Sequence, residues 1–172
     1  MHVNQPPEMF LKADADPNLI SNAYINEPAD STANTQYLSF ILPAVPAAAE
    51  VYLTKQDDHL LLEIDDLDVA ETEQARGYGT TLLAWIVIEG KSRGAKLGNL
   101  CAVNPMVISA AERLLSSGQI VDVAYIPLVF EDESPLPKAE EAFVSDLKVD
   151  AETAKAFINK TDISGVATWL KL

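Results

Sequence analysis

The chain has 172 residues, 48% of them apolar and 22% charged, with a formal net charge of -14. That is enough apolar material for the core of one ordinary domain, spanning 1–172, and it excludes wholesale disorder. So acidic a chain is repelled by nucleic-acid phosphate and by anionic membrane surfaces, so direct nucleic-acid binding and membrane attachment are not expected.

The first 36 residues read as irregular, with Pro6, Pro7, Pro17 and Pro28 among Asn, Asp and Ala, and at most a short helix near Leu11 or Leu19. Leu38–Leu42 reads as a strand, and the two prolines of PAVPAAA at 43–49 argue against a central strand there. Glu50–Gln56 and His59–Val69 read as a hairpin turning at Asp57-Asp58. Thr80–Arg93 reads as a helix closed by Gly94, and Lys96–Val103 as a strand. Asn104-Pro105 is a strong helix start, because Asn caps and proline in the first turn needs no donor; that helix should stop at Gly118. Val121–Phe130 reads as a strand, followed by the acidic loop EDESPLP. Helices over Ala151–Ile158 and Ile163–Leu170, capped by Asp150 and Asp162, complete a C-terminal extension over 131–172. Strands alternating with helices in this order predict an α/β (α+β) fold with a mixed sheet covered by helices.

The reactive residue types are few. Cys101 is the single cysteine, so no internal disulfide exists, and its setting LGNLCAV predicts a buried structural thiol. His2 and His59 lie far apart without carboxylate partners at helical spacing, so no metal site is expected. The N-terminus lacks a basic leader followed by an apolar core, and the longest apolar run is Leu82–Ile88. A cytoplasmic protein is the expectation. Trp85, Trp169 and Met106 read as packing residues.

The informative stretch is ETEQARGYGTTLL at 71–83, between a strand ending at Val69 and a helix. Gly77 and Gly79 let backbone amides approach a ligand without side-chain obstruction. The helix start adds unsatisfied N–H groups and partial positive charge, and Arg76 adds a full charge. Such a turn suits a phosphate or pyrophosphate. Neither a P-loop G-x-x-x-x-G-K-[ST] nor G-x-G-x-x-G is present.

Here the sequence resembles the GNAT superfamily of acetyl-CoA-dependent N-acetyltransferases, whose motif A has the form V-x-x-x-x-[QR]-x-x-G-x-[GA]. Val69, Gln74, Gly77 and Gly79 fall in register, and the string TEQARGYG at 72–79 looks most like the histone acetyltransferase branch. The resemblance covers about 50–120. It implies a mostly antiparallel sheet whose central strands, 59–69 and 96–103, splay apart, with helices on both faces. It also implies acetyl-CoA as co-substrate, its pyrophosphate on the amides of Ala75, Arg76, Gly77, Tyr78, Gly79 and Thr80 beside Gln74. The pantetheine arm would lie along Leu67 and Val69, and Asn104 resembles the asparagine opening the family's next helix. Glu63, eleven residues before Gln74, stands where the branch has its general base.

Simple alternation puts Glu63, Asp65, Leu67 and Val69 on one strand face, which makes Asp65 a second candidate base. Tyr78 reads as a cover for the turn rather than a catalytic group. Many family members carry a tyrosine acid and G-F around the helix after the second central strand; here Leu114 and Gln119 stand there, leaving Tyr125 as a remote candidate. Charge is segregated: residues 1–75 sum to -12, 76–121 to +3 and 122–172 to -5. Lys91, Arg93 and Lys96 in the positive island could meet the outer phosphates of CoA, while the acidic half would attract an ammonium group. The expected partners are thus acetyl-CoA and an amine or basic protein. The alternative is a non-catalytic acidic interaction protein of this fold that binds a basic surface.

Overall fold

The computed structural model describes residues 5–27, 34–56, 59–69, 76–129, 141–160 and 163–172. Over these residues it is a mixed α/β fold with one seven-stranded, mostly antiparallel sheet and three α-helices. The chain separates into two compact units, Met1–Lys96 and Leu97–Leu172.

In the first unit, β1 (Tyr24–Asn26), β2 (Thr35–Leu42), β3 (Ala47–Gln56) and β4 (His59–Val69) pair consecutively and antiparallel. Alternation explains them. Leu38, Phe40 and Leu42 of β2 and Ala47, Ala49, Val51 and Leu53 of β3 are buried on one face, while their neighbours point away. Helix α1 (Tyr78–Ser92) covers that face. Trp85 meets Phe40 edge to face at 5.0 Å, and Gly90 lies against Leu62, whose Cδ2 would stand 3.0 Å from any added Cβ. Trp85 is fully buried, as expected of a core anchor.

The N-terminal region is more ordered than its composition suggests. Asp16 caps a short 3-10 turn, Pro17–Ile20, accepting from the Asn18 N–H, and β1 follows. Phe10 and Ile20 are the buried apolar residues that tie this segment down. β3 begins at Ala47 rather than Glu50, because a tight turn over 43–46 absorbs both prolines before pairing starts.

The second unit holds most of β5 (Ala95–Ala102), then α2 (Pro105–Ser116), β6 (Asp122–Val129), α3 (Ala151–Ile158) and β7 (Ile163–Lys171). Asn104 caps α2, accepting from the Met106 N–H at 2.9 Å, and Gly118 ends it in a left-handed conformation, φ 80°. The expected last helix over Ile163–Leu170 is instead a strand. β7 pairs with β5 on one side and β6 on the other, and Ile, Val, Thr and Trp suit a two-sided buried strand better than a helix. Trp169 is buried there.

Two further corrections concern single side chains. Met106 is exposed. Cys101 is an exposed residue of β5 rather than a buried one. Its Sγ sits against Gly165, where an added Cβ would come within 2.6 Å, and partial burial pushes the thiol pKa up. A thiolate is therefore disfavoured at neutral pH.

The α3 cap gives a pH expectation. Asp150 Oδ1 accepts from the Thr153 N–H at 2.7 Å, and hydrogen bonding to Thr153 holds its carboxyl below the usual carboxylate range. The carboxyl is lowered on folding, so its contribution is complete above the ordinary carboxylate value and disappears as pH falls through the lowered one. Amide exchange over 151–158 should accelerate relative to the rest of the unit below pH ~4, and Asp150→Asn should remove that extra pH step.

Candidate functional site: the glycine turn and the outer face of β4

Of the turn, residues 70–75 lie outside the described residues, so the expectations on Gln74 and Ala75 do too. Gly77 is the N-cap of α1 with φ 93°, a left-handed conformation that glycine adopts without penalty. Among the described residues Gly77 brings no side chain to cap α1, in contrast to Asn104 on α2 and Asp150 on α3, and the first turn holds no acid. The first helical bond runs from the Thr81 N–H to the Gly77 carbonyl at 2.9 Å. Tyr78, Gly79 and Thr80 form the first turn, at the positive end of the helix dipole. An added Cβ at Gly79 would meet Val69 Cγ2 at 3.6 Å, so the start of α1 sits directly above the end of β4. This chemistry fits a phosphate group.

The space beside Gly77 is taken by the chain itself. A methyl group there would fall on the Phe10 carbonyl oxygen and within 3.0 Å of Leu11 Cα. The Lys12 N–H donates to the Arg76 carbonyl at 3.0 Å, and Arg76 Nε stands 3.9 Å from Asp14 Oδ2. Tyr78 is fully buried, its hydroxyl accepting from the Asp16 N–H at 2.9 Å and facing the Asp16 carbonyl at 3.4 Å. Residues 10–16 thus strap the turn, and Tyr78 is their anchor. Sequence reading missed this role; the isolated apolar Phe10 and Ile20 among prolines and acids were its signal.

The positive island is not one patch. Lys91, Arg93 and Lys96 lie at the far end of α1, and fifteen helical residues span roughly 22 Å. Arg93 is also engaged: Nε bonds the buried Glu89 carboxylate at 2.9 Å, and Nη1 reaches Glu27 at 3.3 Å and Gln36 at 3.2 Å. These contacts hold Arg93 at the opposite end of α1 from the glycine turn.

Strand β4 also differs from simple alternation. Val51 faces Ile64 but Glu50 faces Asp66, so Asp65 is the extra residue of a β-bulge. Beyond the bulge the phase flips. Leu67 and Val69, opposite Ala49 and Ala47, lie on the α1 side, whereas Glu63, opposite Tyr52, shares the outer face with Asp66 and Asp68. The expectation of a common face for Glu63, Asp65, Leu67 and Val69 is thus overturned.

Asn104 serves α2 as its cap, and Leu114 is fully buried. Tyr125 is buried as well, its hydroxyl directed at the Ile108 carbonyl at 3.5 Å. Burial above all, reinforced by Glu112, raises the Tyr125 pKa far above the usual phenol value. It is placed as a core residue of the second unit. Among the described residues no group of three or more His, Cys, Asp or Glu is placed to hold a metal ion, and no helix is long and apolar enough to cross a membrane.

No protein-family profile matches the chain, and no curated protein matches it. Among solved structures it is similar to a Bacillus subtilis acetyltransferase in complex with CoA, at 13% identity and a TM-score of 0.47, over 87% of this chain and 99% of that one. It is also similar to a GNAT family acetyltransferase from Elizabethkingia anophelis with acetyl-CoA bound, at 15% identity and a TM-score of 0.44, over 88% of this chain and 99% of that one.

Proposed function

We propose that the protein is an N-acetyltransferase of the GNAT kind, moving acetyl from acetyl-CoA to a cationic primary amine, with Glu63 as general base. The carrying observation is the start of α1 at left-handed Gly77, which follows the strand that bears Glu63. Bound acetyl-CoA would supply a thioester, its acyl group passing to the amine nitrogen and CoA leaving as the thiol. The amides of Tyr78, Gly79 and Thr80, with Arg76, would hold its phosphates. Leu67 and Val69 would offer backbone to the pantetheine arm. An alkylamine near pKa 10 arrives protonated and must lose a proton before it can attack. Glu63, half-buried on the outer face, would take that proton directly or through water, with the bulged Asp65 as the second candidate.

A ligand that binds only the folded state must raise its melting midpoint. Acetyl-CoA at a hundred times its Kd should add about 2.7 kcal/mol, a rise of roughly 5–10 °C for a chain this size. Purified, CoA-free protein that shows no rise would favour the second reading, an acidic interaction protein on a basic partner surface. The strap over Gly77 and the Asp14 carboxylate facing Arg76 are the features that favour it.

A further inference from the structure

The sheet face of the first unit turned away from α1 carries a line of side chains that the phosphate turn does not use. Strand register puts Tyr37 opposite Tyr52 and Tyr52 opposite Glu63, on three consecutive strands. Residues directly opposite share a face, with Cβ atoms about 4.5–5.5 Å apart. The two tyrosine rings meet edge to face, centroids 4.9 Å apart, which fixes the plane of Tyr52. All three residues are half-buried, so the row is partly shielded yet reachable. The next row along the same face is Ser39, Glu50 and Asp66, with Ser39 Oγ donating to Glu50 Oε2 at 2.8 Å. The bulged Asp65 falls between the rows. No lysine or arginine occupies the outward positions of β1 to β4. Asp65 foremost, then burial, Tyr37 and Glu50, raises the Tyr52 phenol above its usual pKa. Tyr52 thus stays a neutral ring in a negative field.

We propose that Tyr37, Tyr52 and Glu63 form the ammonium end of an acceptor site, where an alkylammonium lies over the Tyr52 ring beside the Glu63 carboxylate. The use of this site in acetyl transfer rests on the function proposed above; the recognition itself needs only the ring and the carboxylate. A cation over an aromatic face is held by the ring quadrupole, and half-burial strengthens that hold. The same surroundings choose the class of amine. An α-amino acid would bring its own carboxylate against Glu50, Glu63, Asp65 and Asp66, so the acceptor is an alkylamine without a neighbouring carboxylate. A free oligoamine and a lysine side chain share that chemistry.

The test titrates spermidine, and separately a lysine-bearing peptide, into wild type, Tyr52→Phe and Tyr52→Leu, with NMR shifts as the readout. Acetyl-CoA affinity is measured in parallel by thermal shift. The Phe variant should bind the cation as wild type does, and the Leu variant about tenfold more weakly, with the acetyl-CoA shift unchanged in both. In turnover, KM for the amine should rise while kcat is retained. Tyr37→Leu, which leaves the Tyr52 ring but removes its edge partner, takes the place of Tyr52→Leu if that variant does not fold, and should weaken binding in the same direction. Undiminished binding by the Leu variant overturns the proposal, and so does a loss in Phe as large as in Leu. Cation binding at this face without acetyl transfer would remove the transfer reading and leave the site; transfer without cation binding here would do the reverse. The arm that binds tells a free oligoamine from a lysine side chain.

Discussion

Replacing Gly77 by alanine should lower the melting midpoint by about 10 °C, and replacing Gly79 by alanine should leave it within a few degrees of wild type. The two glycines look equivalent in the motif and differ in the structure. At Gly77, φ of 93° costs an L-residue roughly 1–2 kcal/mol, and the new methyl group would meet the Phe10 carbonyl oxygen and Leu11 Cα. Relief requires the strap to move, and such overpacking costs about 1–3 kcal/mol more. A total of roughly 2–5 kcal/mol converts to that midpoint shift for a chain this size. At Gly79 the backbone is helical and an added Cβ would reach only Val69 Cγ2, in ordinary contact at 3.6 Å. Helix propensity there even favours alanine, by up to ~1 kcal/mol. Calorimetry of both variants decides the matter; equal midpoints would mean that residues 10–11 do not pack on Gly77 in solution.

Glu63→Gln should reduce turnover by about 10²–10⁴-fold while leaving the acetyl-CoA thermal shift intact, because it removes a proton acceptor and keeps the shape. Single-turnover measurement with saturating amine isolates the chemical step. Asp65→Asn and Asp66→Asn are the controls that the bulge makes necessary, since Asp65 is the extra residue and Asp66 shares Glu63's face. A variant at Glu63 with wild-type turnover, beside a dead one at Asp65, would transfer the role to the bulge.

Much of the fold was legible because it is locally encoded. Asn104-Pro105 and Asp150 carry their helix starts in one or two residues, and the bounds of β4, His59–Val69, follow from apolar content and the residues at its ends. What escaped depends on partners distant in sequence. β7 is a strand because β5 and β6 flank it, while IVI-like and VAT-like runs leave helix and strand open on periodicity alone. The bulge at Asp65 is a property of the β3–β4 register, so strand alternation put Leu67 and Val69 on the wrong face. The glycine turn was readable as a turn. That Gly77 makes room for the chain's own Phe10 was not, because the contact joins segments more than sixty residues apart. Likewise, the count of bases flagged Arg93, and only the fold shows it committed to Glu89, Glu27 and Gln36.

The strap has a thermodynamic corollary. Residues 10–16 and the start of α1 share the Lys12–Arg76 bond, the Asp14–Arg76 pair and the two contacts of Tyr78 with Asp16. Two elements that share bonds cannot open and close independently. If an anion at the turn draws Arg76 from Asp14, it loosens the strap, and by reciprocity loosening the strap alters affinity for the anion by the same factor. The order of the amino-terminal segment and the occupancy of the turn are then two readings of one equilibrium.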